Sequence, residues 1–309
     1  MHCHSEINEK FPIRKSSMQK DAFLKYAKEK AQQLGYDAQV EDIKNNRNLV
    51  IGDPQSAQVV FTAHYDTPAI MPFPNFITPR NILFYVLYQL LPVSVLILSC
   101  LLVLLFCKAV LNITDFNTLY VIFMVCYFGS LMLMLYGPAN KHNANDNTSG
   151  IATLFGVMEK LPEQVRSKAT FIFFDNEEKH MQGSGNYAKQ HKDVKQNSLI
   201  VNLDCVGDGK HFFCFAKRGA MQHALYPLLQ ETLVSSDDKT VYHRPSLGSV
   251  YPSDQASFRC GTAICACKKA PVIGCYINRI HTGRDTTCDL DNLDFLSDRL
   301  SAFVQQIDT

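Results

Sequence analysis

The chain has 309 residues, of which 47% are hydrophobic and 19% are charged, and its formal net charge is +1. A chain of this size and composition can bury a full hydrophobic core and form one or two domains. The near-zero net charge gives no sign of a basic surface for nucleic acid, so we expect no such partner.

The N-terminal segment, residues 1–17, is polar and lacks the apolar stretch of a secretory signal. His2, Cys3 and His4 could together bind a metal, but we interpret this segment as a frayed, solvated terminus. The chain has 11 cysteines, and no two have the CxxC spacing of a zinc knuckle. Unpatterned free thiols are typical of a reducing compartment, which favours a domain that faces the cytosol.

The first predicted elements lead to a histidine. Residues 16–34 have apolar positions at helical spacing, and Gly35 follows as a C-terminal cap. Residues 37–43 and 48–51 predict two short strands, and a Gly-Asp-Pro turn comes directly after the second. The run QVVFTAH then predicts a buried strand that ends at His64.

An apolar insertion follows this strand. Residues 82–107 contain no charged side chain and, at about 1.5 Å per residue, are long enough to cross a hydrocarbon core of roughly 30 Å. Residues 119–136 are also uncharged and near the minimum spanning length, and Gln89 and Pro92 are tolerable within the first span. Buried core helices or an apolar lid are the alternative, but core helices of a soluble domain normally have a polar stripe. We therefore predict a two-pass transmembrane hairpin.

A hairpin returns the chain to the side that it left, so both flanks belong to one domain. Arg80 and Lys141 flank the hairpin on the domain side, whereas the connector offers only Lys108. The positive-inside rule then predicts an integral membrane protein whose domain lies in the cytoplasm. The predicted boundaries are residues 75–137 for the hairpin, and residues 1–74 with 138–309 for the domain.

After the insertion, helices alternate with buried strands. The loop NANDNTSG leads into an apolar helix that runs to Leu161. Residues 169–175 and 198–204 are continuous apolar runs of the kind found in parallel sheets, and a helix begins at 183 between them. This order predicts an α/β domain whose sheet is covered by helices on both faces.

Five possible metal ligands are spread along the chain, most of them directly after a predicted strand: His64, Asp146, Glu178, Asp204 and His281. Ligands bind at the carboxyl edge of an open α/β sheet, and imidazole nitrogen and carboxylate oxygen suit zinc. Two zinc ions about 3.5–4 Å apart need a bridge, which a carboxylate can provide. Sharing one bridge, the five residues give three ligands per metal and leave room for water and substrate. We predict two co-catalytic Zn²⁺ ions per chain.

Two further acidic residues, Glu177 and Asp66, belong to this cluster. Glu177 and Glu178 are adjacent, and their side chains diverge, so they cannot easily bind the same metal. Glu177 is therefore free to act as the general base. Asp66 lies two residues after His64, where it can accept the other ring N–H and fix the ligating tautomer.

The sequence resembles the co-catalytic di-zinc aminopeptidases, zinc exopeptidases related to bacterial leucyl aminopeptidase, glutamate carboxypeptidase and, more distantly, glutaminyl cyclase. The resemblance covers residues 16–70 and 138–305 and rests on AHYDT, NANDNTSG, FFDNEE followed by GSGNYA, NLD, SDQASF and HTGRDT. It implies a three-layer α/β/α fold with a mostly parallel mixed sheet. The hydrophobic hairpin has no counterpart in the secreted soluble members of this family.

The resemblance also assigns the metal ligands individually. Asp146 corresponds to the bridging carboxylate. Glu178 and His281 correspond to the remaining ligands of one zinc, and His64 and Asp204 to those of the other.

The same resemblance implies roles beside the metals. Glu177 corresponds to the general base, and Tyr251 is a candidate oxyanion donor. In the family a histidine often follows the Ser-Asp pair that matches Ser253 and Asp254, but Gln255 stands there in this chain. That departure affects substrate contacts rather than the metal ligands.

We therefore expect a membrane-anchored zinc metallopeptidase, an aminopeptidase that hydrolyses N-terminal peptide bonds through a metal-bridging hydroxide. Its partners would be a peptide or small amide substrate and the lipid bilayer, and no pattern indicates an oligomeric state. A carboxypeptidase or a deacylase of small amides remains an alternative, because specificity resides in loops. A non-catalytic receptor or scaffold is disfavoured because every ligand position is filled. Retention of both His64 and Asp204 argues against a one-metal glutaminyl-cyclase-like acyltransferase.

Overall fold

The computed structural model of the protein describes residues 2–308, which contain nine strands in one sheet and ten α-helices. The strands are β1 (Ala38–Ile43), β2 (Asn46–Ile51), β3 (Val59–His64), β4 (Ala169–Phe174), β5 (Leu199–Leu203), β6 (His211–Ala216), β7 (Thr240–Pro245), β8 (Gly261–Ala270) and β9 (Gly274–Tyr276). The helices are α1 (His2–Lys10), α2 (Ser17–Gln33), α3 (Ile82–Ala109), α4 (Phe116–Tyr136), α5 (Thr148–Lys160), α6 (Gln182–Gln190), α7 (Lys192–Asn197), α8 (Arg218–Met221), α9 (Tyr226–Thr232) and α10 (Leu290–Gln306).

The sheet is mixed with a parallel centre, as predicted. Its order is β1-β2-β4-β3-β5-β8-β6-β7, with β9 beside β8. Strand β3 pairs in parallel with both β4 and β5, and β5 pairs in parallel with β8. The flanking pairs β2–β4 and β6–β8 are antiparallel. The carboxyl ends of β4, β3 and β5 therefore lie side by side at one edge.

Helices cover both faces of the sheet. Successive side chains of a strand point to opposite faces, so Phe61 and Val60 enter different cores. Phe61 packs with Phe155 of α5 and Phe303 of α10 in the larger core. Val60 belongs to the smaller core on the other face, with Tyr187 of α6. This arrangement confirms the predicted three-layer fold.

The first predicted helix is present, with caps that the sequence explains. The side chain of Ser16 accepts a hydrogen bond from the backbone of Gln19, and the side chain of Gln19 accepts one from the backbone of Ser16. This reciprocal pair is a capping box. At the other end Gly35 has φ +83°, a backbone conformation that a side chain would disfavour.

The expectation of a frayed N-terminus is wrong. Residues 2–10 form α1, in which Cys3, His4 and Ile7 are buried. Cys3 and Ile7 join the larger core, and His4 Nε2 donates to the Ala144 carbonyl at 2.7 Å. A nine-residue segment is too short to be helical alone. Packing against the domain stabilises it, and local sequence does not reveal that packing.

The apolar insertion forms two helices that pack against each other, α3 and α4. Asn81 caps α3 and Asp115 caps α4, each through a side-chain oxygen that accepts a backbone N–H. Within the described residues, these are the two helices long and apolar enough to cross a membrane. Of the most apolar 18-residue stretch of each helix, only 11% is buried in α3 and 0% in α4, so they are not core helices of the domain.

Candidate metal centre

Three neighbouring strands deliver the candidate ligands to one edge of the sheet. His64 is the last residue of β3, Asp204 follows β5 directly, and Glu177 and Glu178 lie in the turn after β4. Asp146 lies in the loop before α5, and His281 lies in the loop between β9 and α10. Sheet topology thus gathers residues that are far apart in the chain.

The side chains form two groups that share Asp146. His64 Nε2 lies 3.2 Å from Asp146 Oδ1 and 3.8 Å from Asp204 Oδ1. His281 Nε2 lies 3.1 Å from Asp146 Oδ2 and 3.3 Å from Glu178 Oε2. In each group the ligand atoms lie within 4.8 Å of one another. Each oxygen of Asp146 therefore faces a different histidine, as a bridging carboxylate requires.

The donor atoms fit a divalent cation. Within the described residues, His64 Nε2, Glu178 Oε1 and Asp204 Oδ1 are buried and have no hydrogen-bond partner. Burial and the nearby Asp146 carboxylate raise the pKa of Glu178 well above its usual range. Buried polar atoms without partners are costly, and a bound cation would satisfy all of them at once. Nitrogen and carboxylate oxygen together are typical zinc ligands.

Left-handed backbone conformations occur at and beside the cluster. Asn176 precedes Glu177 with φ 52°, Cys205 follows Asp204 with φ 55°, and His281 itself has φ 63°. Non-glycine residues rarely adopt this region, and such residues cluster at functional sites. The turns that carry the candidate ligands are therefore held by the surrounding fold.

Glu177 lies in the pocket wall beside the candidate ligands. Its carboxylate is grouped with His64 and Glu178, with ligand atoms within 4.8 Å of one another. Burial, reinforced by the Glu178 carboxylate, raises the pKa of Glu177 well above its usual range.

Asp66 makes different contacts from those expected. Its Oδ1 is 3.5 Å from His64 Nδ1, longer than a charge-assisted hydrogen bond. Its carboxylate instead accepts the backbone N–H groups of Glu177, at 3.0 Å, and Glu178, at 3.3 Å. Asp66 therefore orients the turn that carries the two glutamates, in addition to facing the imidazole.

Tyr251 is not arranged as an oxyanion donor. It lines the pocket, but its hydroxyl donates to the Asp204 carbonyl at 2.8 Å. The hydroxyl has a single proton, so that proton is committed to the main chain. The expected role is corrected: Tyr251 holds the end of β5 in place. The Gln255 side chain in turn donates to the Tyr251 carbonyl at 2.9 Å.

Two residues to which the sequence assigned no role hold the Asp146 loop. Asp285 accepts the backbone N–H groups of Asn145 and Asp146 at 3.0 and 2.9 Å. Asn147 donates to the Leu203 carbonyl at 2.9 Å and so ties the loop to the end of β5. Asp285 and Asn147 both lie in the family motifs HTGRDT and NANDNTSG, which signalled their importance without showing their partners.

Arg14 is a further residue that the sequence did not indicate. It is fully buried, and its guanidinium donates to the carbonyls of Tyr65 and Phe11 and to the Thr148 hydroxyl. Tyr65 follows His64, and Thr148 begins α5. Arg14 therefore joins the N-terminal segment to the residue after His64 and to the helix that follows the Asp146 loop.

A pocket of about 180 Å³ opens over the cluster. Four of the five candidate ligands, Asp146, Glu178, Asp204 and His281, line it together with Ile77, Tyr251, Pro252 and Ile280. The cluster is thus reachable by a small substrate.

Comparison with known proteins identifies the family. The sequence pattern of peptidase family M28 matches residues 121–303, more than half of the chain. No curated protein matches the sequence significantly.

Solved structures show the same fold at low identity. A glutaminyl cyclase from Porphyromonas gingivalis superposes with a TM-score of 0.59 at 12% identity, covering 99% of this chain and 97% of that one. A Zn-dependent exopeptidase from Parabacteroides distasonis gives 0.58 at 14%, covering 99% and 96%. A leucine aminopeptidase precursor from Bacteroides thetaiotaomicron gives 0.57 at 14%, covering 99% and 95%. The chain belongs to peptidase family M28, and the predicted enzyme class, a zinc-dependent metallopeptidase, is confirmed.

Proposed function

We propose that this protein is a membrane-anchored aminopeptidase that hydrolyses N-terminal peptide bonds with two zinc ions. The observation that carries the proposal is the pair of ligand groups that share Asp146. His64, Asp146 and Asp204 would hold one ion, and Asp146, Glu178 and His281 the other. Such ions polarise an amide carbonyl and lower the pKa of water.

The remaining chemistry belongs to the protein. Glu177 takes a proton from the attacking water on its carboxylate and passes it to the nitrogen of the leaving amine. Burial and the Glu178 carboxylate raise the pKa of Glu177, and a raised pKa makes its carboxylate a stronger base. Asp66 keeps Glu177 aimed at the pocket through the backbone of the turn.

The charge of the pocket favours an aminopeptidase over a carboxypeptidase. Among the described residues that line the pocket there is no Lys or Arg, whereas four are carboxylates. A terminal carboxylate needs a cationic partner, which this wall does not provide. Glu177, which is not one of the candidate metal ligands, leaves a carboxylate in this wall that can attract a terminal ammonium.

We further propose that α3 and α4 span the membrane as a hairpin within residues 75–137. Their exposed apolar surfaces and their pairing support this assignment. Residues 1–74 and 138–309 would then form a catalytic domain on the cytoplasmic side, where free thiols are stable.

A substrate panel tests the activity. Purified protein is assayed with leucinamide and short peptides, with N-acyl amino acids, with C-terminal dipeptides and with peptides that begin with glutamine. We expect hydrolysis of the free-amine substrates, its loss with a chelator, and its return with zinc. Cyclisation of N-terminal glutamine without hydrolysis would favour a glutaminyl cyclase. Protein that binds no zinc would indicate a scaffold.

A further inference from the structure

A second pocket, of about 150 Å³, lies where the hairpin meets the domain, and we call it the hairpin groove. Its walls are the loop 71–75, the face of α3 between Tyr88 and Leu96, and Leu131 and Met134 of α4. Most of these side chains are apolar, so the groove suits a hydrocarbon chain rather than a charged group.

The groove lies at the end of the hairpin nearest the domain. At about 1.5 Å per residue, Tyr88 is about 9 Å from the start of α3 and Leu131 is about 8 Å from the end of α4. Gln89, a polar residue of the first span, and Pro92 both line this groove. Pro92 has no N–H to offer the Tyr88 carbonyl. The irregular part of the span thus coincides with the groove.

The groove and the active-site pocket share a wall. Asn75 lines both of them. The loop that contains Asn75 is bound to the segment that contains His281: Met71 N–H donates to the His281 carbonyl at 2.8 Å, and Asn75 N–H to the Ile280 carbonyl at 3.2 Å. On the hairpin side, the Tyr88 hydroxyl donates to the Pro74 carbonyl at 2.8 Å. One ordered loop therefore borders both pockets.

The near wall of the active-site pocket continues the apolar character of the groove. Ile77, two residues after Asn75, and Ile280, whose carbonyl accepts the Asn75 N–H, line the pocket that also contains the carboxylates. Phe76, which lies between Asn75 and Ile77, stacks on Tyr276 and packs against Phe84 and Tyr88 of α3. A molecule with a polar end at the carboxylates and an apolar chain in the groove would match both surfaces.

We propose that the hairpin groove is a substrate subsite that takes the apolar chain of an amphiphilic aminoacyl amide while its amide bond lies at the metal centre. This inference rests on the proposed aminopeptidase function. The reaction is hydrolysis: the amide C–N bond breaks, the water oxygen bonds to the carbonyl carbon, and the proton goes to the departing amine. The hairpin then selects substrates that reside in the bilayer, as well as tethering the enzyme.

The test is a chain-length series on the full protein in lipid nanodiscs. Leucyl n-alkylamides from ethyl to dodecyl are compared with leucinamide, and the ratio of kcat/KM to that of leucinamide is recorded for each. Each methylene of the alkyl chain that is fully buried is expected to raise kcat/KM about fourfold. Since the groove holds only a few methylenes, we expect the kcat/KM ratio to rise about 30-fold with chain length. Beyond a limiting chain length, the ratio should stay constant.

Variants separate the groove from simple partitioning into the bilayer. Leu131→Trp fills the groove and is expected to reduce the rise at least tenfold, and Leu96→Trp is a second variant at a different wall. Leu102→Trp places the same side chain on an exposed part of α3 and should leave the rise unchanged. Because each ratio is taken within one variant, a general loss of activity does not affect it. A rise that persists in both groove variants would overturn the inference.

A binding measurement supplies a readout that does not need turnover. A leucyl alkylamide with a diazirine at the chain end is photolysed with the Glu177→Gln variant, and adducts are located by mass spectrometry. Labelling of residues 88–96 or 131–134 supports the subsite, and labelling confined to other segments refutes it. If leucinamide and short peptides are not hydrolysed at all, the proposed function fails. If they are hydrolysed without any effect of chain length, only this inference fails.

Discussion

Asp146 is held at the centre of the cluster through its backbone, which leaves both of its carboxylate oxygens available. Its N–H donates to Asp285 Oδ2, and its two oxygens face His64 and His281. Burial and the Asp146 carboxylate raise the pKa of Asp285 to about 7. At the scale of the residue, the site is a set of acceptors that lack donors, and a pair of cations would complete it.

Glu177→Gln is the most direct test of the general base. Glutamine keeps the size of the side chain but cannot take up a proton, and general base catalysis contributes typically 10²–10⁴-fold. We expect kcat to fall by that order while bound zinc, measured by mass spectrometry of metals, stays the same. The matched control is Glu29→Gln, an exposed position of α2, which should change neither. Near-native turnover in Glu177→Gln would refute the role.

Asp204→Asn tests the division of the ligands into two groups. The substitution removes a charged ligand from the group with His64 and leaves Asp146, Glu178 and His281 intact. We expect the zinc content to fall from about two ions per chain to about one. Asp285→Asn is the comparison: it weakens support for the Asp146 loop without removing a ligand. Equal zinc loss in both variants would contradict separate sites.

At the scale of elements, parallel strands and the loops that follow them bring the site together. The strand ends at His64, Phe174 and Leu203 were predictable, because each follows a continuous apolar run. The α1 helix was not predictable, because its sequence is mostly polar and its stability comes from Cys3 and Ile7 in the larger core. Propensity within a short segment contains no information about such a partner.

Ile7→Ala tests whether α1 belongs to the cooperative fold. Ile7 is fully buried, and truncation of a buried isoleucine to alanine typically costs about 2–5 kcal/mol. We expect a lower midpoint in thermal unfolding of the catalytic domain. Met18→Ala, at a side chain that is 82% exposed, provides the control and should change the free energy of unfolding by no more than about 0.5 kcal/mol. An unchanged midpoint for Ile7→Ala would show that α1 is detachable.

At the scale of the whole molecule, the hairpin and the catalytic domain are joined by a loop that also walls the active site. Residues 75–81 run from the pocket to the cap of α3, and Ile77 pairs with Ile277 through two backbone hydrogen bonds at 3.0 and 2.9 Å. The insertion therefore leaves and re-enters the domain beside the metal centre. If the hairpin spans the membrane as proposed, this placement puts the bilayer beside the entrance to the active site.

Cysteine labelling tests the orientation. Asn117→Cys lies near the start of α4, on the side away from the domain, and Met18→Cys lies on the domain. In intact cells, an impermeant maleimide should label the first variant above the native background and the second only after lysis. The reverse pattern would place the domain outside, and equal labelling of both before lysis would contradict a spanning hairpin.

The sequence by itself determined the α/β class, the two apolar helices, and the identities of the five candidate ligands. These features follow from periodicity, from strand ends and from short motifs, which are local properties of the chain. Only the tertiary structure decided which atoms face each other: that Asp66 holds the glutamate turn, that Tyr251 is committed to the Asp204 carbonyl, and that Asn75 lines two pockets. Hydrogen-bond partners distant in sequence depend on how the sheet and its loops pack, and the order of residues along the chain does not specify them.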